Sequence, residues 1–88
     1  MLTKKQIKLI KRRLSEFKNV VIFQDKNHNI ARIRIISETF NFIGLLSRTT
    51  LVYGLLDLPS SMHDNTHIIV NPISRNEWDN RGKKWELF

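Results

Sequence analysis

Residues 20–37 read VVIFQDKNHNIARIRIIS. Val20-Val21-Ile22-Phe23 is a β-branched and aromatic run of strand type. Asp25-Lys26-Asn27-His28-Asn29 is built from residues that tolerate turn conformations, which predicts a hairpin loop. Beyond it, Ala31, Ile33 and Ile35 alternate with Arg32 and Arg34. A strand over 31–37 therefore turns an apolar face toward a core and a charged face away from it. An antiparallel hairpin is the expected centre of the fold.

Upstream, residues 3–17 predict a helix with Thr3 as N-cap. Ile7, Ile10, Leu14 and Phe17 form one apolar stripe. Lys4, Lys5, Lys8, Lys11 and Arg12 fill a continuous polar arc of about 120°, on which Leu9 is stranded. Downstream, 37–42 is a connection. From Gly44 to Leu56 the pattern is again helical: Leu45, Val52 and Leu56, flanked by Leu46, Tyr53 and Leu55, make a wide apolar face. Only Ser47, Thr50 and Gly54 point clearly outward, which predicts a largely buried helix.

Leu58-Pro59-Ser60-Ser61 breaks this helix and is a plausible start of a short further one. His67-Ile68-Ile69-Val70-Asn71 reads as a third strand, ended by Pro72. Ser74-Arg75-Asn76-Glu77 is a capping box opening a short helix from 75, with Trp78 as an anchor onto the body. From Asn80 onward a frayed tail is expected.

The order is helix, strand, strand, helix, (short helix), strand, helix. The third strand returns through a helical crossover and should lie parallel to a neighbour. This predicts a single α+β domain over 1–88, with a three-stranded mixed sheet, helices mainly on one face and a flexible tail over 80–88.

The 88 residues include no Cys, which excludes a disulfide framework, a thiol nucleophile and any Cys-based zinc site within this chain. No apolar run approaches the roughly 18–20 residues of a membrane span, and a cytoplasmic protein is expected. The formal net charge is +7, carried by 15 Lys+Arg against 8 Asp+Glu. Its distribution is uneven: residues 1–18 hold seven basic and one acidic side chain, and residues 19–88 hold eight and seven. Any anionic partner drawn by net charge is therefore localised to the first helix.

Several short motifs carry a further reading. Ile35-Ile36-Ser37-Glu38-Thr39-Phe40 is similar to the strand ending in V-S-x-x-F of the BolA family. Arg48, eight residues after Phe40, sits where that family has the first Arg of its R-H-R helix motif, preceded by the apolar pair Leu45-Leu46. Val52-Tyr53-Gly54 matches the V-Y-(G) that follows. The strand leading to Ser74-Arg75-Asn76-Glu77-Trp78 resembles the family's strand followed by T-P-x-x-W. The chain resembles the BolA family over nearly its whole length, which implies a KH-related α-β-β-α-(α)-β-α sandwich. It departs at Thr49 and Thr50, which replace the His and second Arg of R-H-R, and at Gly44, which lies farther from Phe40 than the family's usual glycine. The family's His at the start of the last strand aligns with Thr66 without a gap and with His67 after a one-residue shift.

The resemblance implies a non-enzymatic adaptor that pairs with a monothiol glutaredoxin and its glutathione and shares a [2Fe–2S] cluster, in iron–sulfur trafficking or iron- and stress-linked regulation. The metal-ligating candidates it implies are His67 and His28, with thiolates from the partner; the isolated chain would bind no cluster, and would be a monomer or weak homodimer. Imidazole is a good iron ligand, so a chain without Cys is compatible with this role. A second reading is a small DNA-binding transcriptional regulator using Lys4, Lys8, Lys11 and Arg12 of the first helix together with Arg48. A third is a protein–protein interaction module without a cluster. No G-x-x-G loop is present for KH-style RNA clamping. There is no P-loop, and Ser60-Ser61, His63 and Asp64 are sequential neighbours with nothing to orient them as a triad, so catalysis is not expected.

Overall fold

A computed structural model describes residues 2–62 and 66–81. The first helix, α1, spans Lys4–Arg13. Thr3 caps it in a capping box: its hydroxyl accepts from the Gln6 amide at 3.2 Å, and the Gln6 side chain accepts from the Thr3 amide at 2.8 Å. The helix is shorter than the periodicity suggested. It closes at Leu14, and Phe17 joins the apolar stripe from a turn whose amide bonds the Leu14 carbonyl. Leu9, on the polar arc, is partly buried against the core.

Strands β1 (Asn19–Asp25) and β2 (Ile30–Ser37) pair antiparallel, with Phe23 opposite Arg32 and Val21 opposite Arg34. A short 3-10 helix, Glu38–Phe40, leads to α2 (Leu45–Leu56), with Gly44 as N-cap. A helical turn begins at Ser61–Met62. The remainder of the expected short helix, with His63 and Asp64, lies outside the described residues. Strand β3 (His67–Ser74) lies parallel to β2 in the order β1-β2-β3, followed by α3 (Arg75–Arg81). The tail expected from Asn80 begins later, since α3 includes Asn80 and Arg81; residues 82–88 lie outside the described residues.

Pro72 does not end the third strand. It lies inside β3 opposite Ile35. A strand at the sheet edge has one side without ladder partners, so a residue lacking an N–H is tolerated there.

One apolar cluster holds the fold. Ile10, Leu14 and Phe17 from the α1 segment, Ala31, Ile33 and Ile35 from β2, Ile68 and Val70 from β3, and Val52 and Leu56 from α2 meet with Phe40. The period-2 alternation of β2 places α1 and α2 on the same side of the sheet. The opposite face carries Phe23, Arg32, Arg34, His67 and Asn71, and among the described residues only α3 covers its far end, through Trp78.

α2 is the principal departure from expectation. Only Val52 and Leu56 are buried in it, while Leu45 and Leu46 are 65% and 81% exposed. The helix leans on β3 along a narrow line, so an apolar all-round composition does not become an all-round buried helix.

Candidate functional site

The hairpin loop between β1 and β2 reverses at Asn29, which adopts φ 51°. Asp25 organises it from the strand end: one carboxylate oxygen accepts from the Asn27 amide at 3.0 Å, and the other bonds His28 Nδ1 at 2.8 Å. The His28 hydrogen bond is the main reason the Asp25 carboxyl is held below its ordinary range, and burial opposes the shift. A carboxylate on Nδ1 makes that nitrogen the proton carrier in neutral imidazole, leaving the Nε2 lone pair outward for a metal.

His67 opens β3 directly beside this loop. It pairs with Ile30, and its amide donates to the Asn29 carbonyl at 2.7 Å. Its side chain is exposed, and its neighbour Thr66 is buried. Of the two alignments open in the sequence, the one using His67 puts an imidazole in solvent and the one using Thr66 puts a hydroxyl inside. Both candidate ligands therefore lie at one end of the sheet. Among the described residues, no group of three or more His, Cys, Asp and Glu forms a metal site within the chain.

Arg48 is placed differently from the nucleic-acid contact proposed for it. Its side chain is 11% exposed. Nε donates to the Ile43 carbonyl at 2.6 Å, and Nη1 reaches the Pro72 carbonyl at 3.4 Å and the Glu77 carboxylate. The guanidinium knits the loop before α2, the edge of β3 and the start of α3. Glu77 is shared: it also accepts from the Ser74 amide at 3.2 Å, while its own amide donates to the Ser74 hydroxyl at 3.1 Å, so the expected capping box is formed. Burial pushes the Glu77 carboxyl up, but the hydrogen bonds from Ser74 and Arg48 outweigh it and hold it below its ordinary value.

Tyr53 does a parallel job, its hydroxyl donating to the Ile68 carbonyl at 3.0 Å. Arg48 and Tyr53 thus satisfy two carbonyls along the outer edge of β3. Lys4, Lys8, Lys11 and Arg12 all project from α1 into solvent. Sequence reasoning missed Phe42. It is fully exposed with φ 112°, a backbone region that suits glycine. The spacing was the available signal, since the positive-φ position falls closer to Phe40 than Gly44 does.

Comparison with solved structures follows the same lines. BolA1 from Arabidopsis thaliana superposes with a TM-score of 0.63 at 19% identity, over 85% of this chain and 98% of that one. BolA1 from Mus musculus gives 0.68 at 12% identity, over 90% of this chain and 72% of that one. The BolA domain of SufE1 from Arabidopsis thaliana gives 0.62 at 18% identity, over 88% of this chain and 99% of that domain. The chain has the BolA fold. No known family's sequence profile and no curated protein sequence matches it. Within the BolA fold as this chain builds it, Arg48, Ser74 and Glu77 are joined in one hydrogen-bonded frame around β3 and α3, Tyr53 separately bonds the Ile68 carbonyl of β3, and the histidines stand outside that frame. Among the described residues, no helix is long and apolar enough to cross a membrane.

Proposed function

We propose that the chain is a non-enzymatic BolA-like adaptor that pairs with a monothiol glutaredoxin and its glutathione and shares a [2Fe–2S] cluster through His67 and His28. The observation that carries this reading is the pair of exposed imidazoles at one end of the sheet, one of them oriented by Asp25. A carboxylate behind a metal-bound imidazole fixes its tautomer and raises its basicity. The partner supplies the thiolates that this chain lacks, and imidazole ligation raises a cluster's reduction potential relative to all-thiolate ligation. The exposed Leu45 and Leu46 beside Phe42 support a protein partner, since they give it apolar surface to bury.

The test is titration of the protein into cluster-loaded monothiol glutaredoxin, followed by visible circular dichroism and size-exclusion chromatography. A heterodimer with a changed spectrum is expected. His67→Ala should abolish the spectral change, and Asp25→Asn should weaken it about 10-fold or more, as removing a carboxylate behind a metal-bound imidazole does. A heterodimer whose spectrum is the same for the wild type and both variants rejects the shared site.

DNA binding by α1 is a second reading, favoured by the exposure of Lys4, Lys8, Lys11 and Arg12 on one arc. Duplex affinity that is independent of salt, or that survives Lys8→Glu with Lys11→Glu, rejects it.

A further inference from the structure

Among the described residues, only α3 lies over the sheet face opposite α1 and α2, and the residues of that face have no role in the adaptor reading apart from His67. Phe23 lies 39% exposed on β1. Arg32 stands directly opposite it on β2. Arg34, on the same face, is held between two rings: its Cζ lies 5.3 Å from the Phe23 centroid and 4.9 Å from that of Trp78. Its Nε is buried without a hydrogen-bond acceptor among the described residues. Neither Arg32 nor Arg34 has an ion-pair partner among them.

The neighbouring carboxylates are committed elsewhere. Asp25 bonds His28, Glu77 bonds Arg48, and Asp79 lies 3.3 Å from Arg75. The face thus combines an exposed aromatic ring, two guanidiniums without counterions among the described residues and the polar side chain of Asn71.

We propose that this face is a binding platform for single-stranded nucleic acid. An unstacked base lies on the outer side of the Phe23 ring, and Arg32 meets the adjoining phosphate. Arg34 is held rigid by its two rings, so it loses little side-chain freedom when it adds to the cationic field. Aromatic side chains on an open sheet are suited to bases freed from a duplex, because stacking needs an accessible base plane. At about 3.3 Å per residue, the part of β2 from Ile30 to Arg34 spans about 13 Å, room for about two nucleotides. The platform requires no G-x-x-G loop, and it lies on the opposite side of the sheet from α1, so the two basic surfaces can be separated by mutation.

The experiment is fluorescence anisotropy with a labelled oligo-uridine of about twelve nucleotides, across about 50–200 mM salt. The wild type is expected to bind the single strand more tightly than a duplex of the same length. Phe23→Ala should weaken binding about tenfold, and Phe23→Leu, which keeps apolar bulk but removes the ring, should give a comparable loss. Arg32→Ala should reduce the slope of log affinity against log salt by about 0.7. Lys8→Glu with Lys11→Glu should have a smaller effect than either sheet variant. Absence of single-strand binding by the folded wild type overturns the proposal. So does wild-type affinity in both Phe23→Leu and Arg32→Ala, or a loss confined to the α1 variant. None of these outcomes depends on whether a glutaredoxin binds.

Discussion

Phe42 holds a bulky side chain on a backbone that suits glycine, and the ring is in solvent, where it returns no packing energy to the isolated chain. A non-glycine residue held in such a region costs about 1–3 kcal/mol, while the extra freedom of glycine in the unfolded chain costs about 0.5–1 kcal/mol. Phe42→Gly should therefore stabilise the protein by about 1 kcal/mol, read as a higher urea midpoint with an unchanged slope. An unchanged or lower midpoint would mean that the ring contributes to folding. Glu77 supports a second expectation. Its folded carboxyl is more acidic than its unfolded one, so it adds stability above its ordinary value of 4.5, and that stability is lost as pH falls through 4.5 toward the folded value. Glu77→Gln should lower stability at neutral pH and flatten the acid limb of the stability–pH curve. An acid limb as steep as the wild type's would assign it to other carboxylates.

At the scale of elements, the parts of the fold that could be read from sequence are those where one signal had one meaning. Strict alternation from Ala31 to Ile35 could only be a two-faced strand, and Ser74-x-x-Glu77 could only help as a cap. α2 was misread because apolar residues around a helix mean burial when neighbours surround it and an exposed patch when they do not, and the sequence does not count neighbours. Pro72 was misread because its cost depends on whether its strand is central or at an edge, which only the topology determines. The histidines were visible as residue types, but the Asp25 contact to His28 needed the turn geometry. Arg48 could be placed in a helix motif but not in its frame, because its partners, Pro72 and Glu77, are 24 and 29 positions away. The exposed side of α2 also carries a glycine with no structural demand on it. A Cβ added at Gly54 would meet no atom within 4 Å. Gly54→Ala should stabilise by about 0.5–1 kcal/mol through helix propensity, and a thermal melt showing a loss instead would place a neighbour against that position.

Among the described residues the main apolar cluster lies on one side of the sheet, with Ile36 and Ile73 buried at the far end of the other, and that asymmetry predicts how stability and function should separate. A chain of 88 residues has a total stability of roughly 4–13 kcal/mol. Ile33 is fully buried in the central strand, within the cluster that joins α1, α2 and the sheet. Ile33→Ala removes its methyl groups and leaves a cavity between packed layers, at a cost of about 3–4 kcal/mol. That is a large share of the total and should lower the urea midpoint by about 2 M or more. His67 lies on the opposite face with its side chain in solvent, so His67→Ala should change stability by less than about 0.5 kcal/mol. Urea titrations of the two variants beside the wild type measure both effects. Equal losses would mean that the open face contributes to folding as much as the core does, and binding defects in His67→Ala would then have to be read as unfolding. A large loss for Ile33→Ala with none for His67→Ala leaves the open face free to be altered residue by residue, with any change in partner binding attributable to the contact itself.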